Sequence, residues 1–317
     1  MLTSGVMFAR CMIARMEVPF IQADVFTDRA FAGNPLAIIP DGSGLSTEQM
    51  QAIANEMNLS ETTFVLPSED PSATLRLRIF TPAKELPLAG HPVVGTCFIL
   101  AQKGRFPLEE GTNRIFQECG AGVLPVDIHV REGKVARVYM TQATPQFFRS
   151  TTSRQLLAAA VGLEEDRLLP DGLPAEVVST AVPQLMVPAQ GLKDLEAIEL
   201  DLVAMRKIFT AMETDCFMIF TRQTVQPNST VHARMFAPGL GVPEDPATGS
   251  AAGALGAYLV RHGVLNASPT AHLIVEQGYE MGRPSTIYVE VDGTENNPTE
   301  VRVGGTAVEV AEGTIKV

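Results

Sequence analysis

The chain has 317 residues, a formal net charge of −12 and a sequence pI near 4.9, and 45% of its residues are hydrophobic. That length and apolar content predict one large or two medium domains with substantial cores. The negative charge argues against nucleic acid or an anionic membrane surface as a partner, although the field inside a pocket can still attract a small anion. No apolar run reaches the ~20 residues that are needed to span a bilayer, so no membrane segment is predicted.

The cysteines and histidines do not predict a disulfide framework or a metal site. Cys11, Cys97, Cys119 and Cys216 lack C-x-x-C spacing, and the five histidines follow no ligand pattern. We therefore expect a reducing, cytoplasmic setting and no metal.

Residues 1–15 fit the rest of the chain poorly. Arg10 and Arg15 flank a short apolar patch, and the small-residue cleavage pattern of a signal peptide is missing. We interpret 1–15 as an N-terminal extension and place the start of the fold at Met16.

The first half of the fold, residues 16–143, is predicted to be mostly strands. Ser46 and Gln49 form a capping-box pattern that starts a helix ending near Met57. Residues 89–104 begin with A-G-H-P, continue as an apolar run over 93–101 and end in Q-K-G, which predicts a helix buried on all sides. Alternation and apolar runs predict strands at 20–27, 31–39 (after a turn), 58–65 (after a helix end), 75–79, 123–130 and 134–140.

Residues 143–145, Ala-Thr-Pro, interrupt the pattern, and we place the domain boundary there. The second half, residues 144–317, has predicted helices near 154–161 and 195–209, and a polar hairpin loop at 292–299. Its strands are predicted at 177–187, 216–220, 231–236, 273–277, 286–291 and 301–310. Strands dominate without regular strand–helix alternation, which favours an α+β fold over a doubly wound parallel sheet.

The second half also contains the stretch on which a function can be argued. Residues 243–253, P-E-D-P-A-T-G-S-A-A-G, predict a loop that enters a helix at about Ser250. An apolar run follows, and Arg261 and Gly263 suit the end of that helix. A helix start offers unpaired N–H groups and a partial positive charge, so it can bind an anion such as a carboxylate. Asp245 precedes the helix by a few residues and could act on such a ligand.

This plan occurs twice in the chain. Residues 78–82, R-I-F-T-P, are repeated as R-M-F-A-P at 234–238, and each copy leads to a Gly, a buried helix and a second Gly. The loop before the first Gly is three residues longer in the second copy. The duplication predicts two pseudo-symmetric domains, each a barrel-like mixed or antiparallel sheet wrapped around a central buried helix, with both helix starts facing one cleft.

Four motifs in this order resemble the phenazine-biosynthesis isomerase (PhzF-like) family. They are D-V-F-T with F-A-G-N-P-L-A at 24–37, N-L-S-E-T-T-F at 58–64, F-T-P with E-L-P-L-A-G-H-P-V-V-G-T at 80–96, and E-D-P-A-T-G-S-A-A-G at 244–253. The resemblance extends from about residue 16 to residue 317. It implies a fold similar to diaminopimelate epimerase and proline racemase. It also implies a cofactor-independent isomerase that moves a proton on a small carboxylate-bearing substrate, with its active site between the two domains. It also leads us to expect a homodimer.

The same resemblance implies roles for individual residues. Glu61 would carry the proton, and His91 and Asp245 would be its polar partners. Four further positions match substrate-binding positions: Ser60, Gly90, Gly249 and Ser250. The epimerase relatives place a cysteine at each helix start, whereas this chain has Gly90-His91 and Gly249-Ser250 there.

Each of these residues also has a plain structural interpretation. Glu61 is a solvated carboxylate in most such contexts, Asp245 a helix cap, and Asn34 a turn former. Cys97 is expected to be inert packing inside its apolar helix. Two other functions therefore remain open: a racemase or epimerase, with or without a thiol, and a catalytically idle binding protein that keeps the fold.

Overall fold

A computed structural model describes residues 16–317, and the interpreted extension 1–15 lies outside the described residues. Strands outnumber helices in it, as the sequence predicts, and they hydrogen-bond into one mixed parallel and antiparallel network. The elements of the first half are β1 (Glu17–Val25), β2 (Asn34–Ile39), α1 (Thr47–Met57), β3 (Glu61–Leu66), β4 (Leu75–Phe80), β5 (Glu85–Leu86), α2 (Gly90–Gln102), β6 (Gly111–Cys119), β7 (Gly122–Arg131) and β8 (Lys134–Thr141).

The second half has more helices than the first. Its elements are β9 (Gln146–Thr151), α3 (Arg154–Val161), β10 (Ala175–Ser179), β11 (Gln184–Pro188), α4 (Leu192–Glu196), α5 (Leu202–Met212), β12 (Phe217–Thr221), β13 (Val231–Ala237), β14 (Val242–Asp245), α6 (Gly249–Arg261), β15 (Thr270–Gln277), β16 (Ser285–Thr294), β17 (Asn297–Gly305) and β18 (Ala307–Lys316). Short 3₁₀ turns lie at Glu165–Arg167, Pro170–Gly172 and Pro238–Leu240.

The helices α2 and α6 are each surrounded by strands of this network. Every residue of α2 from His91 to Ala101 is buried, and α6 is buried on nearly all sides. The strands that cover α2 are β1, β2, β3, β7, β8 and β18. The strands that cover α6 are β10, β11, β15, β16 and β17. The prediction of two helices buried on all sides is therefore confirmed, and the fold is α+β with a mixed sheet.

The strand pairing repeats in the two halves. The first order is β18–β1–β2–β3–β4–β6–β7–β8. The second is β9–β10–β11–β12–β13–β15–β16–β17, with the same succession of parallel and antiparallel neighbours. The equivalent strands β8 and β17 then pair with each other, antiparallel, and so join the two orders.

Four sequence predictions for the second half are wrong in detail. The strand at 177–187 is two antiparallel strands, β10 and β11, because a turn at 180–183 ends in Pro183, which has no N–H. The helix at 195–209 is α4 and α5, because Asp201 caps a new helix by accepting from the N–H groups of Val203 and Ala204. The loop at 292–299 is instead a tight turn at residues 295–296, since β16 and β17 remain paired up to Thr294 and Asn297.

The fourth error concerns the end of the chain. The strand at 301–310 is β17 and β18, which separate at Thr306. β17 pairs with β8 and β16, whereas β18 leaves that sheet and pairs with β1 of the first half. Strands β5, β6, β9 and β14 were not predicted, and β14 includes the start of the stretch 243–253 that was predicted to be a loop. The division at residue 143 stays a prediction, since two strands of the first half, β1 and β8, pair with β18 and β17 of the second half.

Candidate active site

The N-termini of α2 and α6 meet at the junction of the two sheets. A methyl group added to Gly90 would lie 3.7 Å from both the Cα atom of Gly249 and the backbone nitrogen of Ser250. Among residues 16–317, the N-cap side chain of neither helix accepts a capping hydrogen bond. The first N–H groups of two helices, with the positive ends of their dipoles, are therefore concentrated in one place, which is suited to an anion.

Glu61 lies beside these helix starts as the first residue of β3. Its side chain is 16% exposed, and its Oε2 atom lies 3.3 Å from Nε2 of His91. Neither atom has a hydrogen-bond partner among residues 16–317. Burial, with a smaller contribution from the negative charge of Asp245, raises the pKa of Glu61 to about 8. A carboxyl with such a pKa can both release and accept a proton near neutral pH.

His91 is in the first turn of α2 and is almost fully buried. Burial lowers the pKa of His91 to about 3, so its imidazole is neutral at physiological pH. With Glu61 mostly protonated at pH 7, the contact between them is one between two neutral groups rather than an ion pair. A neutral imidazole can donate from one ring nitrogen and accept at the other, so it can orient a neighbouring carboxyl or a ligand.

Asp245 ends β14, three residues before the N-cap of α6. Its Oδ1 atom accepts a hydrogen bond from Nδ2 of Asn34 at 3.0 Å, and its Oδ2 atom accepts one from the Thr248 hydroxyl. Burial raises the pKa of Asp245 to about 6, while these two hydrogen bonds oppose that rise. Asp245 is thus mostly ionised at neutral pH, unlike Glu61.

The structure brings most of the predicted site residues together. Glu61, His91, Gly90 and Gly249 lie at the paired helix starts, and the charge of Asp245 reaches Glu61. The Oγ atom of Ser250 accepts a hydrogen bond from Nε2 of Gln184 at 3.2 Å. Ser60 is exposed and directly precedes Glu61 in the chain.

Sequence reasoning missed four buried amides around the helix starts. Asn34 is fully buried and also donates to the carbonyl of Ala247 at 3.0 Å, so the interpretation of Asn34 as only a turn former is incomplete. Gln277 donates to the carbonyl of Asp245 at 2.6 Å, and Gln142 donates to the carbonyl of Gly249 at 3.1 Å. Gln184, on Ser250, is the fourth. The G-N-P motif was the one local signal; the three glutamines had none.

No group of three or more potential metal ligands was found among residues 16–317. Within the same range, no helix is long and apolar enough to cross a membrane. The expected packing role of Cys97 is confirmed, because its side chain is fully buried and burial raises the pKa of its thiol to about 12.

The fold is that of a class of isomerases. The model of the phenazine biosynthesis-like protein family (PhzC-PhzF) matches residues 23–313, and the chain belongs to that family. A PhzF-family phenazine biosynthesis protein from Bacillus anthracis superposes with a TM-score of 0.85 at 32% identity, covering 95% of this chain and 100% of that one. A hydroxyproline epimerase from Agrobacterium vitis shares the fold at 11% identity and a TM-score of 0.61, covering 95% of this chain and 93% of that one.

The sequence relatives are named isomerases. Trans-2,3-dihydro-3-hydroxyanthranilate isomerase of Pseudomonas aeruginosa is 36% identical over 295 residues, 93% of this chain and 98% of that protein. An uncharacterised isomerase of Mesorhizobium japonicum is also 36% identical, over 297 residues, 93% of this chain and 97% of that protein. The protein is therefore an isomerase.

Proposed function

We propose that this isomerase moves a proton between two carbon atoms of a small carboxylate-bearing substrate, with the Glu61 carboxyl as its acid and base. The observation that carries the proposal is a buried carboxyl with a pKa of about 8 at 3.3 Å from a neutral histidine, beside two uncapped helix starts. Glu61 removes a proton from a carbon next to an unsaturated system. The electron pair shifts along that system, and the same carboxyl returns the proton at another carbon.

The two helix starts supply the electrostatic part of the mechanism. Their free N–H groups bind the substrate carboxylate and stabilise the negative charge that develops when the proton leaves carbon. His91 and Asp245 hold polar groups of the substrate. The negative charge of Asp245 also raises the pKa of Glu61, which makes the Glu61 carboxylate a stronger base toward the proton on carbon. Every proton transfer in this scheme uses the chain's own carboxyl.

A thiol mechanism has little support. The places where the epimerase relatives carry cysteines are Gly90-His91 and Gly249-Ser250, and Cys97 is buried with a raised pKa. The scaffold alternative is disfavoured by burial of unpartnered polar atoms on Glu61 and His91, because such atoms destabilise a fold unless a ligand uses them.

Solvent-deuterium incorporation tests the function. We expect the enzyme in D₂O to place deuterium on carbon in at least one of a panel of unsaturated and amino carboxylates that includes trans-2,3-dihydro-3-hydroxyanthranilate. Glu61→Gln keeps the size and hydrogen bonding of the side chain but cannot carry the proton, so it should lower the exchange rate at least ~100-fold. Mass spectrometry and NMR measure both quantities.

The controls separate the three functions. Alkylation of Cys97 should leave the exchange rate unchanged, whereas loss of exchange after alkylation would favour a thiol racemase. Undiminished exchange by Glu61→Gln would move the search for the proton carrier to Asp245. Absence of exchange across the whole panel would leave the binding protein as the better description.

A further inference from the structure

The repeat of the two halves is broken at one loop. In the first half, β6 and β7 are joined by the two residues 120–121; in the second half, the equivalent strands β15 and β16 are joined by the seven residues 278–284. Both connections start with a glycine packed against the proline that follows β5 or β14: Gly120 against Pro87, and Gly278 against Pro246. The additional residues of the second connection, here called the 278–284 loop, therefore begin next to Asp245.

The 278–284 loop is held in its own half by a buried ion cluster. Oε1 of Glu280 lies 2.9 Å from Nε2 of His232, and Nδ1 of the same ring lies 2.9 Å from Oε1 of Glu276 on β15. His232 is 1% exposed, and the two carboxylates flank its ring from opposite sides. This anchor fixes the first part of the loop against β13 and β15.

Arg283, at the other end of the loop, reaches the first half. Its Nη2 atom donates to Oδ1 of Asp24 at 2.6 Å and to the carbonyl of Ala32 at 3.0 Å, and its Nε atom donates to the carbonyl of Gly33 at 2.8 Å. The carboxylate of Asp24 is 3% exposed, and its other oxygen accepts from the backbone N–H of Phe31 at 2.6 Å. One guanidinium thus binds a buried charge and two consecutive carbonyls of the turn that precedes β2.

The residue after that turn is Asn34, which donates to both Asp245 and the carbonyl of Ala247. The turn itself admits little variation: Gly33 has a positive φ of 63°, and a methyl group there would lie 2.1 Å from the carbonyl oxygen of Val25. The position of the Asn34 amide is therefore set by the position of the turn, and Arg283 is the side chain that fixes the turn from the opposite half.

We propose that Arg283 is a positioning residue that acts through Asn34. It holds the turn at residues 31–33 against the segment that follows β14, so that the Asn34 amide stays hydrogen-bonded to the Asp245 carboxylate. At the equivalent position of the first half, Leu86 stands in place of Asp245. The two-residue connection between β6 and β7 is too short to carry an arginine equivalent to Arg283. The 278–284 loop is thus found in the half that contains Asp245, and the first half has neither such a loop nor such a carboxylate. Its catalytic meaning rests on the proposed function, but the contacts do not.

The test measures Asp245 directly and needs no substrate. Carbon-13 labelling of aspartate carboxyls, with Asp245→Asn to assign the signal, reports the titration of Asp245 by NMR in the whole protein. Arg283→Lys keeps the charge beside Asp24 but loses the fork that binds both carbonyls. We expect it to raise the apparent pKa of Asp245 by about 0.5–1 unit, the size of one weakened hydrogen bond.

A double-variant comparison tells positioning from general damage. If Arg283 acts through Asn34, Arg283→Lys added to Asn34→Ala leaves the Asp245 titration of Asn34→Ala unchanged, whereas independent effects add. Arg302→Lys is the matched control, because that guanidinium is also partly buried, at 17% exposure, and binds Glu290 and Asp292 on a different part of the sheet. It should leave the Asp245 titration unchanged.

Three outcomes overturn the proposal: an unchanged Asp245 titration in Arg283→Lys, additive shifts in the double variant, or an equal shift in Arg302→Lys. If Arg283→Lys does not fold, the pair Arg283→Gln with Asp24→Asn, which removes both charges together, is measured and interpreted in the same way. A shift in Asp245 without any deuterium exchange on carbon would support the positioning role and contradict the proposed function, so the two failures remain distinguishable.

Discussion

At neutral pH the two carboxyls of the candidate site differ in charge, although both are buried. Asp245 has two hydrogen-bond donors, and its pKa rises only to about 6. Glu61 has an oxygen with no donor among residues 16–317, and its pKa rises to about 8. Because the charge of Asp245 contributes to the pKa of Glu61, protons leave the pair in two coupled steps.

The raised pKa of Glu61 predicts how stability depends on pH. The fold favours protonated Glu61, so its contribution makes the protein less stable as pH rises from the ordinary glutamate pKa of 4.5 through about 8. Glu61→Gln removes this dependence. We expect the variant to melt at a higher temperature than the wild type at pH 8.5, by at least ~2 °C, with the difference shrinking toward pH 4.5. Thermal unfolding across this pH range measures it.

Glu85→Gln is the control for that experiment. The hydrogen bond from Arg78 lowers the pKa of Glu85, so its ionised form is favoured by the fold and its removal should never stabilise the protein. A Glu61→Gln variant that gains no stability at pH 8.5 would contradict a buried Glu61 with a raised pKa.

Sequence alone predicts the residues of this site that lie in recognisable local motifs, and it misses those that are brought there by long-range contacts. His91 and Asp245 stand beside glycines and prolines that mark a helix start and a strand end, and Glu61 lies in the N-L-S-E-T-T-F motif. Asn34 is 211 positions from Asp245 in the chain, so nothing local indicates that its amide binds that carboxylate. Gln142 and Gln277 were missed for the same reason.

At the scale of elements, the ends of strands were harder to predict than their centres. Residues 301–310 were predicted as one strand, yet the chain changes sheets at Thr306, so that β17 pairs with the outer edge of β8 and β18 pairs with the outer edge of β1. The exchange depends on the positions of two distant edges, and local periodicity does not contain them. Helix α1 was predicted well because its capping box is a local signal, and both reciprocal hydrogen bonds are present.

The His232 cluster gives the β13–β15 pair and the 278–284 loop a stability that depends on pH. Burial alone would lower the pKa of His232, but hydrogen bonds to Glu276 and Glu280 raise it to about 9. The cluster therefore stabilises the fold fully below the ordinary value of 6.5 and loses that effect as pH rises through about 9.

Replacing His232 tests this dependence. The melting temperature of His232→Gln should lie furthest below that of the wild type near pH 6, and the gap should narrow between pH 6.5 and 9.5. His272→Gln, at an imidazole that is 70% exposed, should show little gap at any pH. A His232→Gln gap that stays constant from pH 6 to 9.5 would show that the imidazole is not charged in the fold.

At the scale of the whole molecule, strands of the second half pair with the open edges of the first. Within the first half, β1 pairs with β2 alone, and its other edge is open until β18 arrives from the end of the chain; the outer edge of β8 pairs with β17. An open edge of this kind, beside a largely apolar helix, is prone to aggregation. The repeat in pairing order therefore does not make either half an independent folding unit.

Separate expression tests this interdependence. We expect residues 16–143 alone to be aggregated or without a cooperative unfolding transition, and co-expression with 144–317 to restore the near-UV circular dichroism of the whole protein. A cooperative transition in 16–143 alone would instead support the domain boundary that the sequence predicts at residue 143.

The pairing of β1 with β18 also places the two ends of the described chain side by side. The backbone N–H of Met16 donates to the carbonyl of Val317 at 3.0 Å, and the N–H of Val317 donates to the carbonyl of Met16 at 2.9 Å. The path of the backbone is thus almost a closed ring. A short linker between these ends and a new opening at residues 143–145 would give a circular permutant that begins with β9 and still forms every strand pair, so the fold does not depend on where along the ring synthesis starts.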